Sequence, residues 1–180
     1  MPRPPRMFPP ETALHIINRG NDRRALFSSD GEYAKFLVLI RRAARHHPVR
    51  ILAYVLMPNH WHLVVLPVEC EHVSRFLQRF TGAHATRLRR VTRTVGEGHV
   101  YQGRYHAVAL ESRIRLLRTI RYVEANPVRA GLVERAEDWR WSSLAERLGT
   151  PLLISATPLE LPPLPDWVRM VNMPSPRALA

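Results

Sequence analysis

The ten residues from Leu56 to Val65, LMPNHWHLVV, place two histidines on either side of a tryptophan in an otherwise apolar run. Successive side chains of a β-strand point to opposite faces, so His60 and His62 share one face and Trp61 takes the other. Two imidazoles on one face are candidate metal ligands, and the indole would then pack into the core. A His-x-His pair in a strand is more often structural, so other groups must decide between these interpretations.

A second stretch, RTIRYVEANPVRAGLV, supplies two further candidates. Tyr122 and Asn126 are four residues apart, which places them on one face of a helix. A phenol is a potential nucleophile, and an amide oxygen is a potential third ligand. Each residue alone has a simpler explanation, because aromatic side chains usually fill cores and an asparagine before proline usually ends a helix. Together with the two histidines they give one nucleophile and three possible ligands.

The charge balance indicates a polyanionic partner. The chain has 27 Lys and Arg against 15 Asp and Glu, a net charge of +12, with a pI of about 11.3. A surface of this kind binds nucleic acid by releasing its condensed counterions. Cys70 is the only cysteine, so no internal disulfide forms, which is typical of a reducing cytoplasm. No apolar run is long enough to cross a membrane, and we expect a cytoplasmic, nucleoid-associated bacterial protein.

Periodicity and turn residues predict the order β-α-β-β-α-β-α. The elements are a strand at Thr12 to Asn18, a helix from Asp30 to Pro48, strands at Val49 to Met57 and His60 to Leu66, a helix from Val73 to about Val91, a strand at Tyr105 to Leu110, and a helix from Ser112 to about Ala125. Asn126 and Pro127 are expected to end the last helix. The order predicts an α+β, ferredoxin-like (RRM-like) antiparallel sheet with helices on one face, plus an added C-terminal helix that carries Tyr122.

The ends of the chain differ in composition from its middle. Residues 1–11 are basic and proline-stiffened, and predict an extended arm. Residues 12–148 form the predicted folded domain. Residues 149–180 are proline-rich, which predicts an irregular tail, with Trp167 as its anchor to the body of the protein.

Four stretches in this order resemble the HUH single-tyrosine transposases, and more closely their REP-associated branch. They are HIINRGNDRRALF, YVLMPNHWHLVV, YQGRYHAV and RYVEANPVRAGLV, and the resemblance extends from Ala13 to Ser143. It implies that residues 12–148 are a catalytic domain that cleaves single-stranded DNA near hairpins. Tyr101 stands where that branch has a tryptophan, which keeps an aromatic side chain.

The resemblance also assigns roles. His60 and His62 match the metal-binding histidines of the family, Tyr122 matches its nucleophile, and Asn126 lies where relatives place a third ligand. A divalent ion held by these ligands would polarise the scissile phosphate while Tyr122 attacks, and Mg²⁺ or Mn²⁺ suits the phosphate oxygens. The resemblance implies that the products are a 5′-phosphotyrosine and a free 3′-hydroxyl. A zinc site is the alternative, because Cys70 and His72 follow downstream.

Arginines and asparagines provide candidate DNA contacts to phosphates and bases. They are Asn18, Arg19, Asn21, Arg23, Arg24, Arg79, Arg87, Arg104, Arg121 and Arg129. A charged turn or helix face is alternatively just solvated.

Two other functions stay open. A catalytically silent regulator on the same fold would bind single-stranded DNA or RNA, usually by stacking bases on exposed aromatics. Tyr54 and Tyr105 are the candidates for such stacking, and this small number favours the enzyme. A metal-dependent nuclease could instead use water in place of Tyr122. The expected partner is a single-stranded DNA hairpin, with no membrane, and the sequence leaves monomer and dimer open.

Overall fold

The computed structural model describes residues 11–96, 98–149, 153–154 and 160–174. Nearly all of the predicted basic arm therefore lies outside the described residues. The elements are β1 (Ala13–Arg19), α1 (Asp30–His46), β2 (Val49–Met57), β3 (His60–Pro67), α2 (Cys70–Thr92), β4 (His106–Leu110), α3 (Arg113–Arg129), α4 (Ser143–Leu148) and α5 (Leu164–Asn172), with single 3₁₀ turns at Asn21–Arg23 and Ala136–Asp138.

The four strands form one antiparallel sheet in the order β2-β3-β1-β4. β1 is central and pairs with both β3 and β4. Its register sets Ile17 opposite His62 and Arg19 opposite His60. This topology confirms the predicted α+β, ferredoxin-like antiparallel fold.

The two faces of the sheet are covered by different helices. α1 and α2 pack on one face, where Trp61, Phe36 and Phe80 are fully buried in the larger core. α3 and α5 cover part of the other face, in a second apolar cluster that includes Ile120 and Trp167. The first two helices thus share one face as predicted, and the added helix α3 brings its tyrosine to the opposite face.

The prediction that Asn126 and Pro127 end α3 is wrong. The helix continues through Pro127 to Arg129. A proline inside a helix removes one hydrogen bond to the carbonyl four residues earlier, here that of Val123. The Asn126 Nδ2 donates to the carbonyls of Tyr122 (2.8 Å) and Val123 (3.4 Å). The asparagine side chain therefore supplies a donor that the proline cannot, and the helix is maintained.

The predicted irregular tail contains the helix α5. Its Trp167 is buried, as expected of an anchor, and its Nε1 donates to the Glu124 Oε2 of α3 (2.7 Å). Glu124 is fully buried and also accepts from Ser143 (2.5 Å) and Arg147 (3.1 Å). One carboxylate thus joins α3, α4 and α5, and its charge is compensated by the arginine.

None of the helices in the described ranges is long and apolar enough to cross a membrane.

A candidate active site between the sheet and α3

A cleft of about 610 Å³ lies where the sheet meets α3. β3 contributes His60 and His62 to its lining, and α3 contributes Tyr122 and Asn126. The four residues that the sequence singled out for chemistry, separated by 66 positions at most, therefore line one cavity.

The two histidines extend from the same face of β3, as strand alternation predicts. Their ring centroids are 5.1 Å apart. Trp61 between them is fully buried on the other face, against Phe36 and Phe80. The opening pattern of the sequence thus separates a polar site face from a core face.

His60 is held by its chain neighbour. Its Nδ1 lies 2.7 Å from the Asn59 Oδ1, and the Asn59 Nδ2 donates to the carbonyl of Arg23 (3.2 Å). An amide oxygen only accepts, so in the contact between His60 and the Asn59 Oδ1 the proton must be on His60 Nδ1. The Nε2 of His60 is then the atom with a free lone pair.

His62 is buried deeper and contacts a third histidine. Its Nδ1 lies 3.0 Å from the Nε2 of His15 on β1. The Nε2 of His62 is buried and has no hydrogen-bond partner among the described residues. An unpaired buried nitrogen costs about 1–3 kcal/mol, so such an atom at the wall of a cleft points to a bound group.

All three imidazoles are neutral near pH 7. Burial lowers the pKa of His15 and of His60 to about 4, with help from His106 and Arg19 respectively. Burial lowers the pKa of His62 well below its ordinary value, and the neighbouring His15 and His60 add to this effect. Neutral imidazole is the form that binds metal ions.

Tyr122 projects from α3 over the histidines. Its ring lies edge-on to His62 (centroids 5.8 Å apart) and to His15 (6.1 Å). The guanidinium of Arg129 lies 5.3 Å from the centre of the same ring. The phenol is only partly buried, so it is accessible from the cleft beside a positive charge.

The donor set fits a divalent cation that keeps open positions. His60 and His62 each offer a free Nε2, and the amide nitrogen of Asn126 is used by the helix backbone, which leaves its oxygen available. Two neutral nitrogens and one amide oxygen leave the charge of such an ion largely uncompensated, and phosphate oxygens can then complete its coordination.

A metal site built only from His, Cys, Asp and Glu side chains, such as the zinc alternative, has no support in the described part of the chain. Among those residues no group of three or more His, Cys, Asp and Glu side chains forms a metal site. The zinc alternative involves the Cys70 side chain, which lies outside the described residues. Its second member, His72, pairs with Glu69 (3.3 Å).

The candidate DNA contacts occupy four places. Asn18, Arg19, Arg104 and Arg129 line the cleft. Asn21, Arg23 and Arg24 lie in the loop after β1, which we call the basic loop (residues 20–24), and Arg23 and Arg24 are exposed. Arg79 and Arg87 lie on α2, on the opposite side of the sheet. Arg121 donates to the carbonyls of Met170 (2.5 Å) and Met173 (2.9 Å), which caps α5.

Sequence reasoning missed three polar residues at the site. His106 and Gln102 line the cleft. His15 belongs to a quoted stretch but had no role, and it contacts His62 in the cleft wall. His15 is on the same face of β1 as Ile17, so strand alternation was the available signal. That signal becomes useful only when the pairing of β1 with β3 is known.

The comparisons with known proteins agree with this fold. The sequence profile of the family described as IS200-like transposase matches residues 10–126, more than half of the chain and all four central residues of the cleft. The chain belongs to this family of transposases. No curated protein sequence is significantly similar to it.

Two solved structures match parts of this chain. A REP-associated tyrosine transposase bound to a REP hairpin superimposes with a TM-score of 0.64 at 20% identity, over 91% of this chain and 92% of that one. A putative transposase from Deinococcus radiodurans gives a TM-score of 0.47 at 17% identity, over 68% and 95% of the two chains. The first match extends beyond residue 126, into the part that the family profile does not reach.

Proposed function

We propose that this transposase cleaves and rejoins single-stranded DNA beside hairpins, with Tyr122 as the nucleophile and a Mg²⁺ or Mn²⁺ ion held by His60, His62 and Asn126. The observation that carries the proposal is the unpaired Nε2 of the buried His62, which lies in one cleft with the tyrosine. A bound cation would polarise the scissile phosphate as a Lewis acid.

The other steps belong to the protein. Tyr122 attacks phosphorus through its Oη and releases the phenolic proton to solvent, while the bond from phosphorus to the 3′ oxygen breaks and that oxygen takes up a proton from solvent. The products are a 5′-phosphotyrosine and a free 3′-hydroxyl, so the phosphodiester energy is conserved for rejoining. Arg129 and Arg19 line the same cleft, where their charges favour the binding of a phosphate.

A hairpin partner is supported by one relative and by charge. The related REP-associated transposase is bound to a REP hairpin, and the present chain carries a net charge of +12. We propose the same class of partner for this protein. Monomeric and dimeric forms are both compatible with the proposal.

The silent regulator is less well supported. Of its two candidate stacking residues, Tyr54 is 1% exposed, and its side chain packs in the larger core. The hydroxyl of Tyr105 lies 3.0 Å from that of Ser74, and the ring packs against the core. Neither ring forms an open platform for bases.

A covalent-adduct assay tests the proposal. Purified protein is mixed with a labelled hairpin oligonucleotide from palindromes that flank its gene, with and without Mn²⁺, and separated on a denaturing gel. We expect a metal-dependent shifted band that is absent for Tyr122→Phe and for His60→Ala. Tyr33→Phe, which removes a phenol on the opposite side of the sheet, is the control and should keep the band.

Two other results would reject the proposal in different ways. Cleavage without an adduct would identify water as the nucleophile. Tight binding of the hairpin with neither cleavage nor adduct would identify the regulator.

A further inference from the structure

His15 contacts the site, yet the proposed chemistry gives it no role. Its ring stacks on that of His62, with an angle of 14° between the planes and 5.3 Å between centroids. It also makes an edge contact with the ring of Tyr122, at 6.1 Å between centroids. The residue is therefore placed to hold His62 in position.

The contact between His15 Nε2 and His62 Nδ1 (3.0 Å) is a hydrogen bond in which one of the two atoms donates a proton and the other accepts it. If His15 donates, His62 must carry its own proton on Nε2. That N–H would be buried without an acceptor among the described residues, at a cost of about 1–3 kcal/mol. If His62 donates, its Nε2 presents a bare lone pair to the cleft.

The arrangement in which His62 donates from Nδ1 and keeps a lone pair on Nε2 matches the one at His60. There the Asn59 oxygen must accept from Nδ1, because the Asn59 nitrogen is already donating to Arg23. Both histidines of β3 would therefore be held at Nδ1 and free at Nε2. Two independent contacts, one across the sheet and one from the preceding turn, give the same protonation pattern.

We propose that His15 and Asn59 are positioning residues that fix the tautomer and the ring orientation of His62 and His60 before a metal ion binds. The proposal rests on the proposed function, since it assumes that these two histidines are ligands. Hydrogen-bond partners of ligating histidines typically change metal affinity by about 10- to 100-fold. Neither residue touches DNA or the reacting atoms in this role.

The decisive measurement is the tautomer of His62 in metal-free protein, from the ¹⁵N chemical shifts of its ring at pH 7. We expect the proton on Nδ1 in the wild type. In His15→Phe, which keeps a stacked ring but removes the acceptor, we expect the fixed tautomer to be lost. In His15→Gln, whose amide oxygen can accept, we expect it to be retained at least in part.

Metal affinity gives the second readout, measured without DNA from the EPR signal of free Mn²⁺. His15→Phe and Asn59→Ala should each weaken binding by about 10- to 100-fold, and His15→Gln should restore part of the loss. His46→Phe removes an exposed imidazole at the end of α1 and should bind as the wild type does. Circular dichroism of each variant shows that it is folded.

The outcomes separate the two proposals. A proton on His62 Nε2 in the wild type, or an unchanged Mn²⁺ affinity in folded His15→Phe, would overturn the role of His15 even if the wild type forms the DNA adduct. A wild type that binds no Mn²⁺ and forms no adduct would overturn the proposed function itself.

Discussion

Asn126 combines two roles that ordinarily belong to different residues. Its nitrogen replaces a donor that Pro127 removes from the helix, while its oxygen is left for the proposed ion. The first role does not depend on metal, so it can be measured on the free protein.

We predict that Asn126→Ala lowers the free energy of unfolding by about 1–3 kcal/mol, because it leaves a buried carbonyl unpaired. In a Pro127→Ala background the backbone N–H returns, and the same substitution should cost clearly less. Urea denaturation of the wild type, the two single variants and the double variant measures the coupling free energy between Asn126 and Pro127. Equal costs in both backgrounds would show that the asparagine does not compensate for the proline.

At this scale the sequence was informative where residue spacing determines which face a side chain occupies. The alternation HWH separated the cleft face from the core face, and the spacing of Tyr122 and Asn126 brought both to the cleft. Arg121 could not be assigned in the same way, because an arginine on a helix contacts phosphate or backbone equally well, and here it caps α5.

The basic loop is the element on which the position of His60 depends. Gly20 donates to the carbonyl of Asn59 (2.8 Å), and Asn59 in turn contacts Arg23 and His60. A Cβ at Gly20 would collide with the carbonyl oxygen of Arg24. Only glycine allows the loop to close this tightly on the turn before β3.

We predict that Gly20→Ala destabilises the protein by about 1–3 kcal/mol and weakens the binding of single-stranded DNA, since the displaced loop carries two arginines. Gly82→Ala is the matched control: no atom lies within 4 Å of its added Cβ, and alanine favours the interior of α2 by up to about 1 kcal/mol. Thermal unfolding and fluorescence anisotropy measure both effects. A Gly20→Ala protein as stable as the control would contradict the predicted collision.

Elements were predicted well where hydrophobic period and turn residues agree, and poorly where proline is frequent. Prolines after Gly149 indicated an irregular tail, yet Pro163 and Pro165 lie at the start of α5, where proline is well tolerated. The spacing of Leu164, Trp167 and Val171 was the available signal. The partner that stabilises this short helix, the buried Glu124 on α3, is far away in the chain and could not be inferred.

For the whole molecule, the net charge of +12 predicts salt-dependent binding. Affinity for single-stranded DNA should fall with a log–log slope of about −0.7 for each phosphate contacted. A double variant, Arg23→Gln with Arg24→Gln, should flatten the slope by about 1.4 for a short oligonucleotide that spans the cleft and the basic loop but does not reach α2.

The control carries the same change in charge. Arg79→Gln with Arg87→Gln alters α2 on the opposite side of the sheet, and should leave the slope for that short oligonucleotide unchanged. A longer hairpin that reaches this side would respond to both double variants. If the two double variants have the same effect on the short strand, net charge and not local contact determines binding.

Buried neutral histidines also make the stability of the whole protein depend on pH. His84, packed between Phe27 and Phe36, hydrogen-bonds to Tyr101 (2.7 Å), and burial lowers its pKa from 6.5 to about 4. The unfolded chain binds the proton first as the pH falls. The effect of His84 titration on the free energy of unfolding is therefore absent above about pH 6.5, and the free energy of unfolding falls as the pH drops from 6.5 to about 4.

We predict that His84 alone contributes on the order of 3 kcal/mol to this loss. His84→Gln should be less stable than the wild type at pH 7 and should lose less stability on acidification. His15 and His60 titrate in the same range, so the dependence should flatten without disappearing. Urea denaturation at several pH values between 7 and 4 gives the comparison, and an unchanged pH dependence would contradict the assignment.

The central place of β1 in the sheet also governs how the protein is made. β1 is the first strand to leave the ribosome, but its neighbours β3 and β4 follow much later, and His106 pairs with Ile17. Such distant pairings raise the contact order and slow folding. The phenol of α3 emerges after all four strands, so a nascent chain has both imidazoles of β3 before it has the tyrosine that completes the proposed site.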